Sequence, residues 1–245
     1  MFKSLSLSIV THSGWKPSTL SNSGRSPSTF TYLGLLLPLF LCTCGPALEE
    51  HEETDDLGFR TEYTTSPESG EREGIARRYN AEGQLVTEEN YARGKLDGTR
   101  TAYYPDGKKE LIENYRDGQF EGPYTTFDSS GNTRLRGQYI DGKMAQQWTR
   151  YYPNGSVREV VTFADNKENG PFREWYENGQ PHYAGTYRNG KEEGMLFAFD
   201  EGGALEAIRN CETGVCRTIW RPTDGTPAPA EAPDMMRPPN VSATE

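Results

Sequence analysis

Strand-like segments alternate with glycine-centred turns at a fixed interval through the middle of the chain. A 24-residue unit, counted from Gly74, is written six times up to Arg217. Its tenth place is always glycine, and its eighteenth place is aromatic in five of the six units. Its sixth place is always aromatic: Tyr79, Tyr103, Phe127, Tyr151, Trp175 and Phe199. Self-similarity at a period of this length indicates a repeat array.

The glycine columns mark turns. Dipeptides such as Asp106-Gly107 and Asn189-Gly190 favour hairpins, because glycine adopts positive φ without a side-chain clash. Segments of roughly 6 to 8 residues rich in Tyr, Phe, Thr and Val lie between the turns, which is the composition of strands. The pattern therefore predicts an all-β fold. Each unit is one β-hairpin, and six of them form an elongated, single-layer antiparallel meander over 74–217.

The register within each hairpin has two solutions. A two-residue loop at the tenth-place glycine would put the sixth-place and eighteenth-place aromatic rings on opposite faces of the sheet. A three-residue loop with glycine in a bulge would put them on the same face. We favour the bulge, because one shared aromatic face forms a single core.

Several of these units resemble the bacterial variant of the MORN repeat. The resemblance extends over 74–217, and Gln146, Asn166 and Cys211 depart from it. The runs that carry it are Tyr-Tyr-Pro-Asp-Gly-Lys at 103–108, Tyr-Tyr-Pro-Asn-Gly-Ser at 151–156 and Trp-Tyr-Glu-Asn-Gly-Gln at 175–180. The resemblance implies a hairpin-repeat fold and weak fourth and sixth units. Related bacterial proteins are labelled antitoxins of the YwqK type, which implies protein binding, and MORN repeats elsewhere are linked to membrane association and scaffolding.

Residues 1–44 are typical of an export signal. A basic, Ser- and Thr-rich region without acids precedes an apolar run that begins at Leu33 and is too short to span a bilayer. The run ends at Leu41-Cys42-Thr43-Cys44-Gly45, which resembles a bacterial lipobox with Cys44 as the lipidated residue. We predict a lipoprotein held at the cell envelope, in the outer membrane if the organism has one. An uncleaved anchor or an unstructured leader is the alternative.

The segments that flank the array differ from it in composition. Residues 45–73 hold ten acidic side chains and predict a disordered tether, with an edge strand near 61–65 as the alternative. Residues 218–245 predict a closing strand that contains Trp220, followed by a proline-rich disordered tail. Cys211 and Cys216 flank the last turn, and their spacing suits a disulfide if their α-carbons lie within about 7 Å. Two free thiols are the alternative.

Charge and residue types limit the chemistry. The formal net charge is −10 and no basic stripe exists, so we expect no nucleic-acid partner. The chain has three histidines, His12, His51 and His182, too few and too scattered for a catalytic triad. Neither zinc spacing nor a phosphate-binding glycine loop is present. We therefore predict no enzyme, no catalytic residues, no metal and no cofactor.

Aromatic side chains are the remaining candidates for function. Most of them are expected in the core. A sharper hypothesis places an exposed ladder at the third and seventh places of the units, which a protein or a cell-wall polymer would contact. Its members are Tyr104, Tyr124, Trp148, Tyr152, Phe172 and Tyr176. The predicted function is a non-enzymatic, lipid-anchored binding or scaffold surface. The alternative is an antitoxin or immunity-type protein that neutralises a cognate toxin by binding it.

Overall fold

The computed structural model of the protein describes residues 47–227. The predicted signal peptide with Cys44, and the tail beyond residue 227, lie outside the described residues. Among the described residues, no helix has the length and apolar character needed to cross a bilayer.

The described residues form one sheet of 17 strands and one short 3₁₀ helix. The strands are β1 (Glu49–Thr54), β2 (Arg60–Thr65), β3 (Gly74–Tyr79), β4 (Leu85–Ala92), β5 (Lys95–Tyr103), β6 (Lys109–Arg116), β7 (Gln119–Phe120), β8 (Gly122–Phe127), β9 (Thr133–Ile140), β10 (Lys143–Tyr151), β11 (Val157–Ala164), β12 (Lys167–Trp175), β13 (Pro181–Arg188), β14 (Lys191–Glu192), β15 (Gly194–Phe199), β16 (Leu205–Glu212) and β17 (Val215–Trp220). The 3₁₀ helix is Pro222–Asp224.

Neighbours in sequence are neighbours in the sheet. Each strand pairs antiparallel with the next, from β1 with β2 to β16 with β17. Two strands are interrupted, so that each counts as two short segments. β7 and β8 both pair with β6, and β14 and β15 both pair with β13. The predicted all-β antiparallel meander of hairpins is confirmed.

The tenth-place glycines close three-residue loops. In the first unit, the N–H of Asn80 donates to the carbonyl of Gln84 across 2.9 Å, and Gly83 has φ +79°. The loop between these two residues is the three-residue loop with a left-handed glycine that the sequence predicts. The same pattern of hydrogen bonds recurs in all six units.

A second irregularity in each hairpin reverses the expected placement of the aromatic rings. Arg78 pairs with Thr87, but Tyr79 pairs with Leu85, so Val86 is an extra residue in β4. An equivalent register shift occurs before the sixth-place aromatic of every unit. An extra residue turns the following side chains to the other face.

The expectation of one shared aromatic face is therefore wrong. We call the face with the third, sixteenth and eighteenth places face A, and the face with the fourth, sixth and fifteenth places face B. On face A, Phe172 and Leu196 pack with Cys211. On face B, the sixth-place Phe199 packs with Ile208. The sheet thus has a separate apolar cluster on each face.

Two-residue turns join successive hairpins and tie the units together. Arg93 and Gly94, with φ +50° and +73°, form the first of them. The N–H of Gly94 donates to the carbonyl of Arg72 in the segment before the first unit, and the N–H of Arg93 donates to the Glu73 carboxylate. The same carboxylate contact recurs at Asp97, Glu121 and Glu193. These acids hold turns, which explains their recurrence at the last place of the first, second and fifth units and directly before the first unit.

The acidic segment 45–73 is a correction to the predicted disordered tether, because β1 and β2 lie within it. β2 pairs with β3, and β1 pairs with β2 along its whole length. The carboxylates have partners there: Arg60 holds Glu52 and Glu62, and the Tyr63 hydroxyl donates to Glu53. Composition alone predicted self-repulsion, whereas the exposed edge of the first repeat gives this segment a template for pairing.

The array ends in a closing strand that starts earlier than the predicted range 218–245. β17 begins at Val215, directly after the last turn. The indole Nε1 of Trp220 donates to the carbonyl of Thr226 across 3.0 Å, which folds the following segment back onto the sheet end.

Candidate binding face

Face A changes from polar to apolar along the array. Its third-place residues show the change: Ala76, Arg100, Tyr124, Trp148, Phe172 and Leu196. Because successive hairpins are adjacent in the sheet, these side chains from successive repeats lie in one row across face A. Face A therefore has a charged end, an open middle and a closed apolar end.

The charged end is centred on Arg100. Its guanidinium contacts the carboxylates of Glu89 and Glu113, at 3.0 Å and 2.8 Å, from the strands on either side. The Tyr115 hydroxyl donates to Glu113 across 3.1 Å. Burial, followed by the charge of Glu113, raises the pKa of Tyr115 well above its usual range. This end is a partly buried ion-pair network.

The middle of face A is an open groove of about 570 Å³. Its lining includes three arginines from different strands, Arg100, Arg134 and Arg150. Arg150 bonds to Glu159 across 2.9 Å, whereas Arg134 is exposed and forms no ion pair with any residue in the range 47–227. The apolar part of the lining comes from Leu111, Tyr124 and Leu135. The groove thus combines aromatic and aliphatic surface with an exposed arginine, Arg134, and a carboxylate, Glu110.

A smaller cavity of about 80 Å³ continues from the groove and shares Leu135 and Arg150 with it. Trp148 lines this cavity and is only 4% exposed. Its indole Nε1 has no hydrogen-bond partner within the described part of the chain. Buried donors normally have partners, so this Nε1 is an unsatisfied donor in the interior of the sheet face.

The apolar end of face A is closed. The rings of Phe172 and Tyr187 lie 4.4 Å apart between centroids, and Leu196 and Cys211 pack beside them. Burial, followed by the charge of Glu192, raises the pKa of Tyr187 to about 12. Cys211 and Cys216 form a disulfide across the β16–β17 pair, with their α-carbons 4.0 Å apart.

The predicted aromatic ladder is wrong at the third place. Trp148 and Phe172 are each only 4% exposed, so neither can act as an exposed anchor. Glycines in the adjacent strands make this burial possible, because Gly137 lies against the indole ring and Gly185 against the Phe172 ring. Tyr124 is half-buried and remains in the wall of the groove.

The seventh-place tyrosines join repeats. The hydroxyls of Tyr104, Tyr152 and Tyr176 donate to the carbonyls of Phe127, Trp175 and Phe199, over 2.9, 2.9 and 3.0 Å. Each acceptor is the sixth-place residue of the following unit. These hydroxyls therefore have structural partners, and the three rings are half-buried. Of the three, Tyr104 also lines the groove.

The other units have Asn or Asp at the seventh place, where the side chain caps its own loop. The Asp128 carboxylate accepts the N–H groups of Ser130 and Asn132, both at 2.9 Å. The bond from Asn132 is the main reason why the pKa of Asp128 is lowered. One position thus has two structural solutions, a bond to the next repeat or a cap on its own turn.

The groove arginines were not predicted from the sequence. Arg100, Arg134 and Arg150 occupy the third, thirteenth and fifth places of three different units, so no single column shows them. Arg100 stands out only as a charge in a column that is otherwise aromatic or aliphatic. The available signal was the change at the third place from Arg100 to an aromatic residue, Tyr124, one unit later.

Comparison with known families finds a match within the array. Four segments match the family described as MORN repeat variant, at residues 72–93, 96–117, 147–165 and 168–189. These four segments are thus similar to MORN repeats, and all four lie within the array of β-hairpins. The fourth unit, expected to be weak because of Gln146 and Asn166, is matched at 147–165, whereas no match falls on 118–146.

Other comparisons add little. No curated protein matches the chain. One solved structure that resembles it is a porin-like protein from Bacteroides uniformis ATCC 8492, at 12% sequence identity. The likeness covers 70% of this chain and 92% of the other, with a TM-score of 0.19, and it carries no argument about function.

Proposed function

We propose that this protein is a non-enzymatic binding protein that holds an extended partner on face A at the cell envelope. The partner is a protein or a cell-wall polymer that carries anionic groups. The observation behind the proposal is the open groove, where Arg134 is exposed and forms no ion pair with any residue in the range 47–227. It shares the lining with tyrosine and leucine side chains and with one carboxylate, Glu110. MORN repeats support the general class, a repeat-based binding protein.

The side chains of the groove suit recognition. Tyrosine and arginine are the residues that most often anchor interfaces, because they combine a large contact area with a polar end. The hydrogen bond from Tyr104 to the Phe127 carbonyl holds that ring in place before a partner arrives. Such preorganisation lowers the entropy cost of binding. The guanidinium of Arg134 can pair with a carboxylate or phosphate in a two-point contact.

We assign no catalytic residue and no cofactor to face A. Three of its carboxylates are held as structural partners: Glu89 and Glu113 by Arg100, and Glu159 by Arg150. General acid or base chemistry needs a group that can reach a substrate proton. A binding role needs no such proton transfer from these carboxylates.

A charge-reversal pair of variants tests the binding role. Residues 45–245 would be used as bait for an extract of the source cells, as wild type, Arg134→Glu and Arg136→Glu. Both arginines are exposed on β9, but Arg136 pairs with Thr125 on face B. We expect wild type and Arg136→Glu to retain the same partner and Arg134→Glu to lose it at least about ten-fold, since each 1.4 kcal/mol is a factor of ten. Equal recovery with both variants would exclude the groove.

The envelope location is part of the same proposal and rests on Cys44, outside the described residues. Cells that express wild type or Cys44→Ala would be labelled with radioactive palmitate and fractionated. We expect label and membrane association only with wild type. Absence of label together with cytosolic wild-type protein would reject the anchor and favour the antitoxin alternative, because a cytosolic toxin requires a cytosolic binder.

A further inference from the structure

Both outer edges of the sheet are unpaired within residues 47–227. β1 pairs only with β2, and β17 pairs only with β16. An unpaired edge presents a row of backbone donors and acceptors that can bind another strand. The question is which strand these two edges would accept.

The edges carry opposite charge. β1 contains four glutamates, of which Glu49 and Glu50 form no ion pair among the described residues. β17 contains Arg217, and Arg221 follows it, also without an ion pair in the described range. β17 also exposes apolar side chains, with Val215 63% and Ile219 51% exposed. A β1-type strand on β17 would therefore bring carboxylates next to guanidinium groups.

Strand direction limits how two copies can join. If each interrupted strand is counted once, the meander has 15 antiparallel members, so β1 and β17 point the same way. A β1–β1 or β17–β17 junction requires a two-fold axis and brings like charges together. A β17–β1 junction brings opposite charges together, and the two strands pair in parallel when face A of both copies lies on the same side. Like charges directly opposite are destabilising, so charge selects the second arrangement.

We propose that β17 of one copy receives β1 of a second copy, so that the protein assembles head to tail into chains. A junction between two different surfaces does not close on itself in pairs, so growth continues with concentration. Face A of successive copies would form one longer surface. Because the paired charges are exposed, salt would weaken the assembly. This proposal does not depend on the binding role of the groove.

Sedimentation velocity of the purified full-length chain tests the inference, over rising protein concentration at low and high salt. We expect a distribution that grows with concentration and shrinks with salt. Arg217→Glu alone, and Glu49→Lys with Glu50→Lys alone, are each expected to weaken assembly at least about ten-fold. The control is Arg136→Glu, an exposed charge reversal on an inner strand.

Mixing the two defective variants gives the decisive result. The acidic β17 of one fits the basic β1 of the other, and their unchanged edges also fit, so the mixture should assemble where each variant alone does not. Circular dichroism would show that both variants remain folded. If the protein stays monomeric at every concentration, the proposal is overturned. The two edges would then be unpaired in solution or covered by the protein's own flanking residues. A dimer that does not grow, or a mixture that fails to assemble, would also overturn it.

Discussion

Gly137 provides the space in which the indole ring of Trp148 lies. A Cβ atom on Gly137 would be 2.1 Å from Cδ2 of that ring, far inside contact distance. The relationship recurs in the fifth unit, where a Cβ on Gly185 would be 2.8 Å from Cε1 of Phe172. Glycine inside a strand is unfavourable unless another group needs the space. Here a ring of the neighbouring strand occupies it.

This contact predicts that Gly137→Ala destabilises the protein by about 1–3 kcal/mol or more, because a methyl group would overpack the site. Gly137→Ala combined with Trp148→Leu should recover part of the loss, since the smaller side chain vacates the space. Urea unfolding of the wild type, the two single variants and the double variant measures the coupling. Additive losses would show that the two residues are independent.

The sequence predicts the hairpins but not their faces. Turn dipeptides such as Asp106-Gly107 specify local geometry, and their recurrence reveals the array without any long-range information. The extra strand residue that separates the aromatic columns, Val86 in the first unit, is Glu, Arg, Arg, His and Glu in the others, so residue type does not mark it. Burial of Trp148 depends on Gly137 of another strand, which a single column cannot show.

The acidic segment shows a second limit of sequence reasoning. Charge composition indicates that Glu49 to Asp56 repel one another, which holds for an isolated segment. In the structure, the edge of β3 accepts β2, and Arg60 bridges Glu52 of β1 and Glu62 of β2. Order here comes from the adjacent array, so composition within the segment could not predict it.

Arg100 is predicted to be worth more than a typical surface ion pair. Removing it in Arg100→Met leaves Glu89 and Glu113 without their counter-charge, and we expect a loss of about 1.5–3 kcal/mol. The control is Arg93→Met, whose contact with Asp117 is exposed and should change stability by less than about 0.5 kcal/mol. Urea unfolding at neutral pH compares the two. Similar small losses would mean that solvent screens both sites.

The inter-repeat hydrogen bond of Tyr152 has a matched control in the preceding residue. Tyr152→Phe removes a hydroxyl that donates to the Trp175 carbonyl, and we expect a loss of about 0.5–1.5 kcal/mol. The hydroxyl of Tyr151 makes no hydrogen bond to another described residue, so Tyr151→Phe should be close to neutral. Thermal unfolding of both variants tests the difference. If both variants lose the same stability, the seventh-place hydroxyls do not stabilise the contact between repeats.

The disulfide between Cys211 and Cys216 is predicted to stabilise the closing end of the array. A bridge that closes a loop of this size is worth about 2 kcal/mol in the chain-entropy treatment. Reduction should therefore lower the melting temperature of the wild type but not that of a Cys211→Ala, Cys216→Ala double variant. Calorimetry with and without reductant provides the measurement. A wild-type melting temperature that does not change with reductant would mean that the two thiols are free in solution.

Glu174 is predicted to give stability an unusual pH dependence. Burial, and then the charge of Glu159, raises the pKa of the Glu174 carboxyl above its ordinary value. The folded protein therefore binds this proton more tightly than the unfolded chain. Its contribution to stability is full below the unfolded pKa of about 4.3 and is lost as pH rises through the higher folded pKa.

Glu174→Gln should thus be more stable than the wild type at pH 7, and the advantage should disappear as pH falls below about 4.3. His182 needs its own variant, because its Nδ1 lies 3.5 Å from the Glu174 carboxylate and burial lowers its pKa. A protonated His182 would stabilise charged Glu174, so His182→Gln should widen the pH range over which Glu174 costs stability. Urea unfolding of the three proteins between pH 4 and 8 separates these effects. A Glu174→Gln variant less stable than the wild type at pH 7 would mean that the charged carboxylate is favoured in the fold, through His182 or the nearby arginines.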